Sequence, residues 1–452
     1  MKKIAIVGGG EIGSFVAERL AAEKFDVTVI DNNPDVLAEL QNNLDIGVIH
    51  GNATNLSDLQ RAEIEDFDLF IATTRQDETN LIACLLSKEL NIRSNIAITR
   101  YLGSRGRKPN EEIHLVGIDM LVNTSEVVKN EIMDVIESTG ASEMATFAEG
   151  QIILIGYRLG ANSKLVNKEL WEIDDKGDDR SMLVCSLVRE HQILPLNPET
   201  VLQQGDFLYL TTTQDNLPEV NALLQVETLK SRDAVIYGEN YLAQLLAQSL
   251  LNRHFHVTMI ATSDSRANLL RDFFQDKKHI LVVTGDGTEI KLLRRVKVPN
   301  TSVFIATTRD DPTNLTACMV AKELGVGNTV ATIKSTDMLA LGDLAGVDVC
   351  VAPRMATVKT IQKVVHGDRM LDYHAVYQTD MEVVELEARK GCRASKSGIG
   401  SLKLPEGVII GGIVSNGQGM LPSPEIKIKA GDKIIVLTTP EKLIEAEDFF
   451  CK

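Results

Sequence analysis

Lys3-Ile4-Ala5-Ile6-Val7-Gly8-Gly9-Gly10-Glu11-Ile12-Gly13 decides how the rest of the chain is read. A short apolar run meets a cluster of glycines, and a helical pattern, Ile12–Glu23, follows. The glycines fit G-x-G-x-x-G in the context that gives the pattern meaning, a strand before it and a helix after it. Gly8 permits a tight turn, Gly10 keeps side chains away from the backbone N–H groups, and Gly13 lets the helix lie against the strand.

Working outward, the same alternation continues. Strands are expected at Asp26–Ile30, Gly47–His50, Leu69–Thr73 and Asn95–Thr99, with helices at Pro34–Asn43 and Asn80–Leu90. Strands separated by helices of this length imply a parallel sheet with right-handed crossovers. Farther along, Phe70-Ile71-Ala72-Thr73-Thr74-Arg75-Gln76-Asp77-Glu78-Thr79-Asn80-Leu81-Ile82-Ala83-Cys84 returns 234 residues later as Phe304 to Cys318, with 12 of 15 positions identical. Phe25–Ile30 pairs with Phe255–Ile260, and Gln204–Thr212 pairs with Ala430–Thr439. The chain is therefore one unit used twice.

Each unit divides again. After the alternating part comes a helix with a broad apolar face, Ser125–Ser138, matched by Ala356–His366. Then come strand-like runs at Gln151–Ile155, Ser181–Val188 and Phe207–Thr212, separated by turn signals. The expected fold class is α/β, a tandem duplication of a Rossmann-like parallel-sheet lobe followed by a small β-rich α+β lobe. The expected divisions are 1–147, 148–229, 230–375 and 376–452.

Composition narrows the function. The formal net charge of −16 repels nucleic-acid phosphate, so no nucleic-acid partner is expected. Aromatic residues are 4 % of the chain, so its cores rest on aliphatic side chains, which suits a sheet buried on both faces. No apolar run is long enough for a transmembrane helix, and the short apolar stretch at Ile4 reads as a strand rather than a signal peptide. Six cysteines without a C-x-x-C pair are expected to be reduced thiols in the cytoplasm. His254-x-His256 lacks neighbours that would complete a metal set, and no catalytic constellation is evident.

The glycine pattern points to an adenine dinucleotide or nucleotide. The helix N-terminus offers unpaired donors and partial positive charge to phosphates. The candidate binding residues are Gly8, Gly9, Gly10, Glu11, Ile12 and Gly13, together with Asp31 and Asn32 at the tip of the second strand. Asp31 stands 18 residues after Gly13, where a carboxylate accepts from ribose hydroxyls and repels a 2′-phosphate. NAD or NADH is therefore favoured over NADP, and ATP or ADP also satisfies the pattern. Asn52 and Ala53 follow the third strand, where Asn52 is either an adenine reader or a plain turn residue. Thr73, Thr74 and Asn80 follow the fourth, Thr74 as a phosphate or ribose contact and Asn80 as a contact or a helix cap. Arg100, after the fifth, either meets a phosphate or is an exposed charge.

The second unit keeps less of this equipment. Its loop reads Tyr237-Gly238-Glu239-Asn240-Tyr241-Leu242-Ala243, and Ala261 stands where Asp31 did. Gly285-Asp286-Gly287-Thr288 and Thr307-Thr308 remain. Weak binding or none is expected there.

The duplicated unit resembles the regulator of K⁺ conductance (RCK) family, in particular its tandem members that serve Trk potassium-uptake systems. The residues that carry the resemblance are Gly8–Gly13 with Asp31, Ile71–Asn80 and its copy, Val365–Asp368, and Leu404–Gly411. It implies a cytoplasmic, non-enzymatic NAD-binding regulatory subunit at the inner face of the membrane. Its partner would be a Trk-type potassium-translocating protein. It would act in a homo-oligomeric ring, dimer or tetramer, that shifts conformation with the bound nucleotide. An NAD-dependent oxidoreductase, or a soluble NAD(H) sensor for another partner, is the alternative. The Arg- and Lys-rich segment 103–110 has no match in the family pattern.

Overall fold

The computed structural model describes residues 2–100, 117–137, 143–160, 163–174, 180–189, 192–224, 231–366, 370–376 and 381–451. Segment 103–110 lies outside them. Two compact units result: residues 1–130 with 352–365, and residues 131–351 with 366–452.

The first unit is built on strands β1 (Lys3–Val7), β2 (Asp26–Asp31), β3 (Gly47–His50), β4 (Leu69–Ala72), β5 (Ser94–Thr99) and β6 (Met120–Asn123). They form one sheet in the order β3-β2-β1-β4-β5-β6, paired in parallel throughout. The order reverses between β1 and β4, which opens a crevice beyond their carboxyl ends. Helices α1 (Glu11–Ala22), α2 (Pro34–Asn43), α3 (Leu56–Arg61) and α4 (Asp77–Glu89) are the crossovers. Both faces of the sheet are apolar and covered. Ile4, Ile6, Val16 and Leu20 belong to one core, and Ala5, Val7, Phe70 and Cys84 to the other.

One covering helix comes from far along the chain. Helix Pro353–His366 carries Val358, Ile361 and Val365 into the core that holds Ile6 and Leu20. Gln362 donates to the buried Glu23 carboxylate at 2.5 Å, and Lys2 Nζ donates to the carbonyl of Val365. The guanidinium groups of Arg19 and Arg354 lie 5.3 and 5.2 Å from the Phe15 ring centroid. The sequence pattern starts this helix at Ala356. It starts three residues earlier because Pro353 suits a first helical turn, where its missing N–H costs nothing.

Helix α5 (Thr124–Glu137) leads on to the second unit, which holds three sheets. Strands β7 (Glu143–Phe147), β8 (Ile152–Arg158), β9 (Met182–Arg189), β10 (Gln192–Leu194) and β11 (Phe207–Thr213) form an antiparallel sheet, β10-β9-β11-β8-β7. The expected division after residue 147 moves, because β7 hydrogen-bonds to β8 and so belongs to the small lobe.

The repeat of the Rossmann-like sheet comprises β12 (Asp233–Tyr237), β13 (His256–Ala261), β14 (Ile280–Thr284), β15 (Val303–Ala306), β16 (Asn328–Thr332) and β17 (Val349–Val351). Its order, β14-β13-β12-β15-β16-β17, is that of the first. The last sheet, β18-β19-β22-β20-β21, is formed by β18 (Met370–Ala375), β19 (Glu382–Glu387), β20 (Ile409–Ser415), β21 (Gln418–Met420) and β22 (Lys433–Thr438). Here too the division expected after 375 moves ahead of β18, which pairs with β19.

The two small sheets share a core of Phe147, Ile152, Tyr209, Val383, Val414 and Leu437. Gly411 and Gly412 make the close approach possible. A Cβ on Gly412 would sit 2.8 Å from Ile152, and the Gly411 carbonyl accepts from Thr211 Oγ1 at 2.6 Å.

Candidate functional site: one open glycine loop and one filled

The loop after β1 is held from below. Gly8 takes φ +92°, a left-handed conformation that favours glycine. Its N–H donates to Ile30 O at 2.8 Å. Thr73 donates from its hydroxyl to the carbonyls of Val7 and Gly8, at 2.8 and 3.0 Å. A Cβ on Gly13 would lie 1.8 Å from Gly8 O and 2.5 Å from Thr73 Oγ1, so helix and strand approach too closely for any other residue.

The upper side of the loop is open. No atom lies within 4 Å of the place where a Cβ on Gly10 would project. Gly10 caps α1 with no side-chain hydrogen bond, and the first helical residue, Glu11, is exposed. Ile12 is half-buried against the core beneath. The Asp31 carboxylate accepts from Gly9 N at 2.6 Å through one oxygen and from Asn33 N at 2.8 Å through the other. It is therefore fixed at the strand tip, with lone pairs remaining for hydroxyl donors. Asn32 beside it is exposed, and its carbonyl lies 3.2 Å from His50 Nε2.

The other expected residues divide by their hydrogen bonds. Asn52 Oδ1 accepts from Thr54 N and Thr54 Oγ1, so the side chain builds the turn while its NH₂ carries no partner among the described residues. Ala53 is buried in the core. Asn80 is fully buried and fully engaged. Its oxygen accepts from Thr74 N and Oγ1, and its NH₂ donates to Thr74 O and Ile98 O. It is not the cap of α4, a place held by Gln76, but a tether that fixes Thr74 against the glycine loop. Arg100 is anchored by its N–H, which donates to both Asp77 oxygens at 3.1 and 3.0 Å.

The second loop has the same backbone anchors. Gly238 N donates to Ile260 O, Thr307 N donates to Tyr237 O, and Asn314 tethers Thr308 as Asn80 tethers Thr74. Its upper side is filled by its own side chains. Asn240, in the place of Gly10, accepts from Ala243 N at 2.9 Å and donates to Thr307 O at 2.5 Å, so it caps its helix, Tyr241–Asn252. Glu239, in the place of Gly9, accepts from Thr262 N at 2.9 Å and from Thr262 Oγ1 at 3.0 Å. The link between loop and strand tip survives with its direction reversed. In the first unit the strand supplies the carboxylate and the loop the N–H; in the second the loop supplies the carboxylate.

Gly285-Asp286-Gly287-Thr288 resembles a retained site in the sequence, yet it serves packing. Tyr237 replaces Val7 at the strand end, and a Cβ on Gly287 would lie 2.4 Å from its ring. The glycine makes room for the tyrosine. That compensating pair was a signal available in the sequence.

The first loop offers unclaimed helix N-terminal donors, open space above Gly10, and a fixed carboxylate at the tip of the adjacent strand. Among the described residues no group of side chains is placed to hold a metal ion. The cysteines are buried free thiols, and burial pushes Cys185 up to about 12. No helix of the described residues is long and apolar enough to cross a membrane.

Comparison with known proteins agrees with this architecture over the whole chain. The TrkA-N domain matches residues 4–124 and 234–353, and the TrkA-C domain matches 154–225 and 383–450. A Trk system potassium uptake protein TrkA from Vibrio alginolyticus is 27 % identical over 451 residues, covering 98 % of this chain and 97 % of the relative. One from Halomonas elongata is 26 % identical over 449 residues, covering 98 % and 97 %. The structure described as "GsuK channel bound to NAD" shares the fold, with TM-score 0.58 and 19 % identity over 99 % of this chain and 79 % of that one. The two TrkA-N matches together span more than half of the chain, and each is followed by a TrkA-C match: the chain belongs to the TrkA-N domain family, in a tandem form.

Proposed function

We propose that the chain is the nucleotide-sensing regulatory subunit of a Trk-type potassium-uptake system. NAD or NADH, or in their place ADP or ATP, binds at the first glycine loop only. Glu11, Ile12 and Gly13 present the amides of the helix N-terminus to the diphosphate over the bare surface of Gly10. Asp31 and Asn32 face the adenosine ribose, Asn52 lines the adenine side above the buried Ala53, and Thr74 and Arg100 form the opposite wall, held from behind by the buried Thr73 and Asn80. The observation that carries this reading is the open first loop set against the filled second one. The similarity to proteins named for Trk potassium uptake supports a potassium-translocating membrane protein as the partner, with this chain acting at its cytoplasmic face. The site holds and releases a nucleotide rather than transforming it, within a homo-oligomeric ring.

A ligand moves such an assembly only by binding one conformation more tightly than another, with about 1–3 kcal/mol of coupling being typical. Helix Pro353–His366 is suited to report the state of the loop. It packs on α1, whose N-terminus faces the ligand, and Arg354 stacks on Phe15 one turn along that helix.

Calorimetric titration of the full-length protein with NADH tests the site. One equivalent per chain is expected, and Asp31→Ala is expected to weaken binding about 10- to 100-fold, the loss of charge-assisted hydrogen bonds at the ribose. Unchanged affinity in Asp31→Ala places the ligand elsewhere. Sustained NADH oxidation with a carbonyl substrate would favour a dehydrogenase instead.

A further inference from the structure

Arg75 is the residue of the first crevice with the clearest unassigned chemistry. It directly follows Thr74, whose Cα and N lie 3.1 Å from the point where a Cβ on Gly8 would project. The chain at Arg75 therefore leaves from the wall of the glycine loop itself. Its base is held firmly: Asn80 fixes Thr74 N and Oγ1, and Gln76 N donates back to Thr74 Oγ1 at 3.3 Å.

Its guanidinium is nevertheless exposed and makes no hydrogen bond, ion pair or ring contact with a described residue. Three other arginines of this unit find side-chain partners, whereas Arg100 is held, among the described residues, only through its backbone. Arg61 pairs with Asp58, Arg93 pairs with Asp68, and Arg19 stacks on Phe15. The nearest acid in sequence, Asp77, is turned away, since both of its oxygens accept from Arg100 N. In a chain of net charge −16, an unneutralised guanidinium on a rigid stem beside uncapped helix donors is placed for an anion.

We infer that Arg75 binds the second phosphate of the nucleotide diphosphate, the one farther from adenosine, and so sets the preference for diphosphate over monophosphate ligands. This rests on the nucleotide site proposed above. The α-phosphate falls to the α1 amides, which every adenine nucleotide engages alike. The second phosphate lies nearer the β4 side of the crevice, where Arg75 begins.

The repeat supplies a control. Arg309 stands at the matching position on the same tether, Thr308 to Asn314, but beside the filled loop of Asn240 and Glu239. Titrations of the full-length protein with ADP, AMP and NADH decide the matter. Arg75→Gln is expected to weaken ADP and NADH about 10-fold, one charge-assisted bidentate contact, while leaving AMP within about twofold. Arg75→Lys is expected to recover part of the loss, and Arg309→Gln to change nothing. If Arg75→Gln weakens AMP as much as ADP, the residue only shapes the loop and the inference fails. It fails equally if ADP binding is unchanged. If the wild type binds none of the three, the site itself is misplaced, an outcome distinct from either.

Discussion

The two glycine loops share a sheet order, a tether and most of their backbone hydrogen bonds, yet they differ in who satisfies the donors. In the first, the helix begins at a glycine with no side-chain cap, and nothing occupies the space above it. In the second, Asn240 caps the helix and Glu239 closes onto Thr262. The proposed binding site is a local deficit of hydrogen bonds, kept open in one copy and filled in the other. Filling it stabilises the fold modestly, since an Asn cap contributes only about a few tenths of a kcal/mol over a glycine at the same position. The first loop forgoes that stability to keep donors for a ligand.

Exchanging the two states should have opposite effects on binding and on folding. Gly10→Asn introduces the second loop's residue into the first. The backbone there, at φ −73°, accepts any side chain, and no neighbouring atom obstructs a Cβ. The variant is expected to fold and to melt slightly higher, because the new side chain caps α1. Its NADH affinity should fall at least 100-fold, since the side chain then projects into the ligand's space and claims its donors. Titration and thermal unfolding of one preparation check both halves. A variant that melts higher and still binds NADH normally would break the comparison.

The reverse change is smaller. Asn240→Ala removes the cap in the second copy and leaves the Ala243 amide unclaimed. We expect a loss of about 1 kcal/mol, or roughly 1–2 °C in the melting of a unit of this size. NADH should still bind at one equivalent per chain, because Glu239, Ala243 and Ala261 remain. A second equivalent appearing in this variant alone would show that the cap, and not the missing Asp31 counterpart, silences the second loop.

The contrast was partly visible in the residues alone. The parallel sheets follow from apolar runs of strand length alternating with helical runs, and the glycine spacing after β1 marks the site. The decay of the second loop is plain from Asn240, Ala243 and Ala261. What the sequence withheld is tertiary. Glu239 reads as a repulsive charge, whereas it replaces the Asp31–Gly9 link from the other side. Asn80 reads as a helix cap because its type and place are those of one, but its four hydrogen bonds run to a loop 6 residues before it and a strand 18 residues after it. Helix Pro353–His366 follows the second sheet in sequence and packs on the first, and no local periodicity encodes that. Strands β7 and β18 were hidden because their pairing to β8 and β19, not their composition, assigns them to the small sheets.

The finest difference lies in the turns after β3 and β14. Asn52 accepts from Thr54 N and Thr54 Oγ1 at 3.0 and 2.9 Å, and Asp286 accepts from Thr288 N and Thr288 Oγ1 at 2.9 and 2.8 Å. The geometry is the same; only the second acceptor is charged. The backbone N–H of Thr288 above all, then its hydroxyl and the Tyr237 hydroxyl, hold the Asp286 carboxyl below its ordinary value of 3.8. A carboxylate with a lower pKa in the folded state stabilises the fold above its unfolded pKa, and that contribution is lost as pH falls through the folded value. Asp286→Asn should therefore cost stability at pH 7 and nothing once the pH lies below both values. The side chain is exposed, so solvent screening limits the effect to less than about 0.5 kcal/mol. Denaturant midpoints of wild type and variant, measured in parallel from pH 7 down to the acid limit of the fold, should converge on the acid side. Curves that stay parallel across that range would mean that the charge on Asp286 contributes nothing, and that the two turns differ in sequence but not in physics.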